Sequence, residues 1–434
     1  MQQILEKASK LAEAAEVFSV TSEETPVMFE ANRLKHIQSN QSRITALRII
    51  KNGRLGYSIT SNPDDTDGLV KAAVETAEFG MKAEFQLPSP TTYPQVEIYD
   101  PSVCAVPLER MIALGKEMIT AVKGHTPDII CEASVSRDVT SVEIINSNGN
   151  QASYSKSTFS LGIEGSLIRG TDMLFVAEGE SSCRPLNDVK SITDVVLRQL
   201  DWAREQASAA TKSMPVIFTA NGVASALVSP LISAFNGKIV LEGASPIGNR
   251  LGEQVFDEKL GLHDDATITF RPGSQPFDDE GVASRCTPLI QNGIPLNFLY
   301  DLQTAARARK ESTGNGHRGG GGLPAPAANA LVILPGDTSF EDMLADIKEG
   351  LVIEYLMGAS QGNVLGGDFS GNVLLGYKVE NGKIVGRVKD TMVSGNIYQV
   401  LKQITAVGND ARWIGGFLKS PSLYCPNISV SVKG

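Results

Sequence analysis
Much that would commit a chain to one class early is scarce or missing in these 434 residues. There are five cysteines, Cys104, Cys131, Cys183, Cys286 and Cys425, and no two form a C-x-x-C pair. An odd, scattered set argues against a disulfide framework and for reduced thiols in the cytoplasm. The four histidines, His36, His125, His263 and His317, lie far apart and none is followed by Glu, so no zinc-binding helix can be written from them. No apolar run approaches the roughly 18 residues of a membrane span, and Met1–Lys7 opens an amphipathic helix rather than an apolar signal segment. Basic clusters are missing too. With 39 Lys/Arg against 49 Asp/Glu the formal charge is −10, which repels phosphate backbones and excludes nucleic acid as a direct partner. The glycosylation-like triplets at Asn40 and Asn427 are read as chance. The expectation is a soluble cytoplasmic protein with no membrane contact.

What is present is ordinary globular composition, 42% hydrophobic and 20% charged, in a chain long enough for two or three domains. Ile4, Leu5, Ala8, Leu11, Ala12 and Ala15 recur at helical spacing and predict a helix over 2–15. Strand-like runs follow at 16–21, 26–38, 43–51 and 54–60, the last two joined at Asn52-Gly53. Asp64-Asp65 then starts a helix over 66–82. After a Pro-rich link, Leu87 to Pro107, the same order returns: helix 107–123, strands 128–137 and 139–147, a turn at Asn148-Gly149, long strands through 151–179, and helix 188–209. Helix, meander, Asn-Gly hairpin and helix thus occur twice, which predicts an internal duplication.

The texture changes after Met214. Val216-Ile217-Phe218 reads as a buried strand, and an apolar helical run from Ala220 to Phe235 is interrupted by Pro230. Short strands with glycine turns then dominate, with one more helix at 395–404 capped by Ser394. The fold class is therefore α+β: a helix-flanked β-meander domain over 1–210, duplicated, and a β-rich C-terminal domain over 211–434.

The densest stretch for chemistry is 271–322. Pro272-Gly273 leads into Asp278, Asp279 and Glu280, followed by strands at 282–290 and 294–300 joined at Asn292-Gly293. A helical patch at 301–310 runs into Ser312-Thr313-Gly314-Asn315-Gly316 and the glycines Gly319 to Gly322, a loop expected to be mobile. An acidic turn, a hairpin and a glycine loop this close together predict the rim of a cleft. In an extended run Asp278 and Glu280 share a face, able to hold a cation or a peptide's amino terminus. The competing reading is a solvated turn or an ion pair with Arg271 or Arg285.

Other motifs are weaker. Gly314, Gly316 and Gly319 satisfy G-x-G-x-x-G, but more glycines and Leu-Pro-Ala-Pro follow instead of a helix, so no dinucleotide site is expected. His263-Asp264-Asp265 reads as a surface turn. There is no G-x-S-x-G elbow, and Cys425 has no activating base in view.

Phe277-Asp278-Asp279-Glu280-Gly281, then Asn292-Gly293, then Ser312-Thr313-Gly314-Asn315 together resemble the TldD/PmbA family, once described as modulators of DNA gyrase. Within it the chain is similar to the PmbA/TldE branch, from about residue 15 onwards. The resemblance implies a zinc metallopeptidase pair acting on unfolded or leader peptides, with the zinc on a His-Glu-x-x-x-His helix of a TldD-type subunit. Lining up on Gly237 puts Val228-Ser229-Pro230-Leu231-Ile232-Ser233 where that motif would stand, and the family's C-terminal cysteine ligand has no counterpart around Ala406–Asn409. The implied role is the non-zinc subunit, with no metal or catalytic residue of its own, in a homo- or hetero-oligomer. Asp278, Asp279, Glu280, Ser312, Thr313, Gly314 and Asn315 are its peptide-contacting rim candidates. The alternatives are a stand-alone metal-dependent hydrolase and a non-proteolytic regulator of gyrase.

Overall fold
Period-two burial along the N-terminal strands decides which face of the first sheet is covered, and by what. The structure, a computed structural model, describes residues 1–62 and 64–433. Its first sheet contains β1 (Ala14–Glu30), β2 (Arg33–Ile37), β3 (Asn40–Lys51), β4 (Arg54–Thr60), β5 (Ile130–Asn146), β6 (Gln151–Arg169) and β7 (Asp172–Ser182). The order is β4-β3-β1-β5-β6-β7, with β2 paired to β1. Helices α1 (Gln2–Ala8) and α2 (Thr66–Ala77) flank one half; α4 (Leu108–His125) and α5 (Lys190–Trp202) flank the other, with the short α3 (Pro101–Ala105) leading into α4. Odd-numbered residues of β1, such as Val17, Val27 and Phe29, pack against these helices. Even-numbered ones, such as Glu16, Phe18 and Met28, point the other way, as strand geometry requires.

The sheet order is symmetric about the antiparallel β1–β5 pair, which fits a duplicated unit. The two Asn-Gly turns are not equivalent, however. Asn52-Gly53 closes the outer pair β3–β4 with φ of 51° and 69°, whereas Asn148-Gly149 closes the inner pair β5–β6. Two further expectations shift, and one holds. The first helix stops at Ala8, and Ala14 and Ala15 join β1, where Ala15 is fully buried. The two strands expected over 128–147 are one, β5, held on both sides by ladders. Helix α2 begins as expected, with Asp65 accepting from the Gly68 amide.

In the C-terminal half, Lys212–Phe218, Glu349–Met357, Asp368–Glu380 and Leu423–Val432 belong to an eight-stranded sheet. Leu262–Asp265, Cys286–Gln291 and Leu331–Ile333 belong to a six-stranded one. The Asn292-Gly293 hairpin is present, but its strands shorten to Cys286–Gln291 and Ile294–Pro295. The apolar helical run divides into α6 (Ala220–Ala226) and α7 (Val228–Phe235), separated by Leu227 rather than Pro230. Pro230 lies in the first turn of α7, where a missing N–H costs nothing. The last expected helix is only Ile397–Val400, capped by Asn396 instead of Ser394. The two halves share a core: Phe29, Met118 and Phe159 of the first pack in one cluster with Ile217, Val352 and Tyr377 of the second. No helix among the described residues is long and apolar enough to cross a membrane.

Candidate functional site
The face of the first sheet that carries no helices meets the loops of the C-terminal half, and between them runs a groove. Its wider part, about 570 Å³, is floored by small residues, Ser134, Ser160, Gly162 and Gly179, and walled by Phe175, Tyr355 and Ile414. Glu178 is buried in that wall, with Arg412 Nη1 2.7 Å and Asn221 Nδ2 3.2 Å from its Oε2. A second part of about 440 Å³ shares Ser160, Ser181 and Gly415 with the first and adds Asp138, Tyr154, Lys156, His317 and Asn329. Lys156 donates to the Pro272 carbonyl at 2.6 Å. Burial strips its ammonium of water and lowers its pKa to about 8, against the opposing pull of Cys183, Asp279 and Asp138. The same burial raises the Tyr154 phenol, which donates to Gln275 at 3.2 Å. His317 Nε2 lies 2.9 Å from Asn329 Oδ1, and its Nδ1 3.9 Å from Asp279. The groove thus offers an ammonium whose pKa burial lowers, an imidazole, carboxylates and a floor low enough for a main chain to approach.

The residues singled out from the sequence sit close to this groove, though mostly underneath it. Asp278 is 1% exposed, and its carboxylate accepts from the amides of Glu280 (3.0 Å), Val282 (2.9 Å) and Gly316 (2.8 Å). Burial and then the charge of Glu280 push its pKa well up. Asp279 is half-buried and accepts from the Arg318 amide at 2.7 Å, which leaves it the nearest of the three to His317. Glu280, fully buried, accepts from Arg48 Nη1 at 2.5 Å and from the Leu302 amide at 2.7 Å. Arg48 Nη2 in turn lies 3.0 Å from Glu16, which also pairs with Arg318. Two glutamates and two arginines thereby form a continuous, charge-balanced chain in the interior, joining β1 and β3 to the C-terminal loops. The partners of the acidic run are Arg48 and Arg318, not Arg271 or Arg285, and the run is a turn rather than a strand.

The second group is also held inside. Ser312 Oγ donates to the Tyr300 carbonyl at 3.1 Å, and Thr313 Oγ1 accepts from the Tyr300 amide at 2.8 Å. Gly314 has φ of +74°, and a Cβ there would stand 2.8 Å from the Ala283 carbonyl oxygen. Asn315, fully buried, donates to Asp264 at 2.6 Å and to the Ala327 carbonyl at 2.9 Å. So 312–318 is pinned by side chains from several elements. Within the expected mobile loop, only Gly319 to Gly322 form a surface turn, in which Gly321 alone is buried. His263-Asp264-Asp265 is likewise part of a strand, with Asp264 1% exposed. Sequence reasoning missed Lys156, Tyr154, Glu178 and Arg412; their only local signal is a polar residue within a strand pattern, the commonest event on a solvated face.

For a zinc ion the fit is poor in the place where the resemblance would put one. On α7, Pro230 and Leu231 are buried, Val228 and Ile232 half-buried, and Ser229 exposed. None is a usual zinc ligand or a carboxylate base. Among the described residues no group of three or more His, Cys, Asp or Glu side chains could hold a metal ion.

The chain matches three family descriptions in succession. These are the PmbA/TldA metallopeptidase domain 1 over residues 15–78, the central domain over 101–193, and the C-terminal domain over 211–432. It is 27% identical over 427 residues to an uncharacterized protein of Methanocaldococcus jannaschii, covering 96% of this chain and 98% of that protein. It is 24% identical over 423 residues to a metalloprotease of Methanothermobacter thermautotrophicus, covering 93% and 90%. Its fold is similar to that of TldE from Thermococcus kodakarensis, with a TM-score of 0.89, 21% identity and 99% of each chain covered. With the C-terminal match alone spanning more than half of its length, the chain belongs to the PmbA/TldA metallopeptidase family.

Proposed function
We propose that this chain is the PmbA/TldE-type subunit of a cytoplasmic zinc metallopeptidase, in which a TldD-type partner carries the metal and this chain forms part of the chamber for an unfolded or leader peptide. The observation that carries the reading is α7: in a chain with family similarity along its length, this helix offers Val, Ser, Pro, Leu, Ile and Ser where a metal site would need imidazoles and a carboxylate. The groove supports the other half. An extended peptide needs a floor without bulky side chains, and Ser134, Gly162 and Gly179 provide it; Tyr355 and Ile414 give apolar walls that exclude water. Asp278, Asp279, Glu280 and Ser312–Asn315 brace the C-terminal loops beside the groove, and His317, which lines its second part, would meet a bound peptide.

The test is co-expression with a TldD-type protein, then native mass, zinc content and peptide turnover of the pair and of each subunit. The pair should assemble, bind zinc and cut peptides, while this chain alone binds substoichiometric zinc and shows no chelator-sensitive turnover. Stoichiometric zinc in the isolated chain, lost on changing one of its histidines, would establish the stand-alone hydrolase instead.

A further inference from the structure
Away from the groove, a small cavity of about 220 Å³ opens beside the helix Leu302–Ala308. Its walls are largely apolar: Leu55, Met81, Leu323, Pro324 and Pro326. Its charged groups are of both signs, and Gln303 and Thr304 add neutral polar ones. Arg48, 2% exposed, lines it, but both Nη atoms are taken by Glu280 and Glu16, and its Nε is buried and out of reach of the cavity. Asp301, 3% exposed, lines it as well. Its Oδ1 accepts from the Thr304 amide at 2.7 Å and the Thr304 hydroxyl at 2.6 Å, which leaves Oδ2 unpartnered among the described residues. Lys238 and Arg307, both exposed, stand at the mouth.

Two exposed cations at the mouth and a free carboxylate oxygen inside define a ligand that carries an acceptor and a donor together. With two cations facing it, that acceptor is an anion. A dianion such as phosphate fits poorly, because it would face Asp301 and would leave the apolar walls without a partner. The cavity is also below the roughly 300–1,000 Å³ that takes a drug-sized molecule. We infer that this cavity binds the α-carboxylate end of an apolar amino-acid residue. The carboxylate lies toward Lys238 and Arg307, the adjacent N–H toward Asp301, and the side chain against Leu55, Met81 and Pro324. A free amino acid and the C-terminal residue of a peptide share this chemistry. The inference stands apart from the peptidase reading, since neither the site nor its test needs a second subunit.

Met81 provides a reporter within the cavity. The full chain, labelled at its methionine methyls with the Met81 signal identified from Met81→Leu, is titrated separately with leucine, N-acetyl-leucine and leucinamide. Leucine and N-acetyl-leucine should both move the signal if a peptide end is accepted, and leucine alone if the site takes only the free amino acid. Leucinamide, lacking the anion, should bind at least about tenfold more weakly, as expected for losing hydrogen bonds to charged groups. The double variant Lys238→Ala/Arg307→Ala, at exposed positions that leave the fold intact, should weaken leucine or N-acetyl-leucine binding by about fivefold or more. The inference is overturned if neither carboxylate moves the signal, if leucinamide does so equally well, or if the double variant titrates like the parent.

Discussion

Arg48→Met tests whether the buried chain of charges holds the two halves together. Arg48 is 2% exposed, and Glu16 and Glu280 are fully buried. Methionine keeps much of the apolar stem and removes the guanidinium, so the loss is chiefly electrostatic. Glu280 then keeps only the Leu302 amide, and Glu16 keeps only Arg318. Removing one partner of a buried pair costs about 3–5 kcal/mol, because it strands a charge away from water. Two carboxylates are stranded here, but the costs do not add, since they share one lost partner and Glu16 can take up a proton. Burial already pushes Glu16 upward against the pull of Arg48 and Arg318, so losing Arg48 raises it further. The folded-state pKa then lies above the unfolded value of about 4.3, and the folded state binds the extra proton. The variant's deficit is therefore least below about pH 4 and grows as pH rises through the raised pKa. Urea unfolding of parent and variant across this range should show a difference of about 3–5 kcal/mol near neutrality, shrinking in acid. Lys35→Met, which breaks the exposed pair with Glu30, should stay within about 0.5 kcal/mol of the parent. A deficit for Arg48→Met below about 1 kcal/mol at neutral pH, or one that grows in acid, would refute the account.

Two further expectations concern neighbouring groups. In amide exchange, Gly316 and Arg318, whose N–H groups bond to Asp278 and Asp279, should be protected, while Gly319 and Gly320 on the surface exchange quickly; uniform fast exchange over 312–322 would show that these bonds do not persist. Asp301 is raised to about 6, by burial first and by Glu280 second. Its folded pKa lies above the unfolded value, so the parent should lose stability relative to Asp301→Asn, which keeps the cap oxygen, as pH rises from about 4 to about 6. A melting-temperature difference flat across that window would contradict it.

Local chemistry determined the elements whose causes lie within a few residues. Asn52-Gly53 and Asn292-Gly293 adopt the positive-φ hairpin their side chains favour, Asp65 caps α2, and the apolar periodicity of 69–77 buries the face it marks. The change from a helix-flanked meander to short glycine-punctuated strands was equally legible, because period and turn composition are local properties. The absence of metal ligands on 228–233 could also be read directly, since it depends on residue type alone. What the sequence could not settle was the environment of the polar residues. Asp278, Asp279 and Glu280 look like an exposed acidic rim until Arg48, 232 residues from Glu280, and Arg318, 302 residues from Glu16, close on them and exclude water. Lys156 and Glu178 look like solvated strand residues until the C-terminal loops cover them. A carboxylate or an amine has the same identity in either setting, and burial and partner charges supplied from remote parts of the chain decide what it does. Those are consequences of the tertiary fold, which is why the groove and the cavity beside the Leu302–Ala308 helix came into view only with the structure.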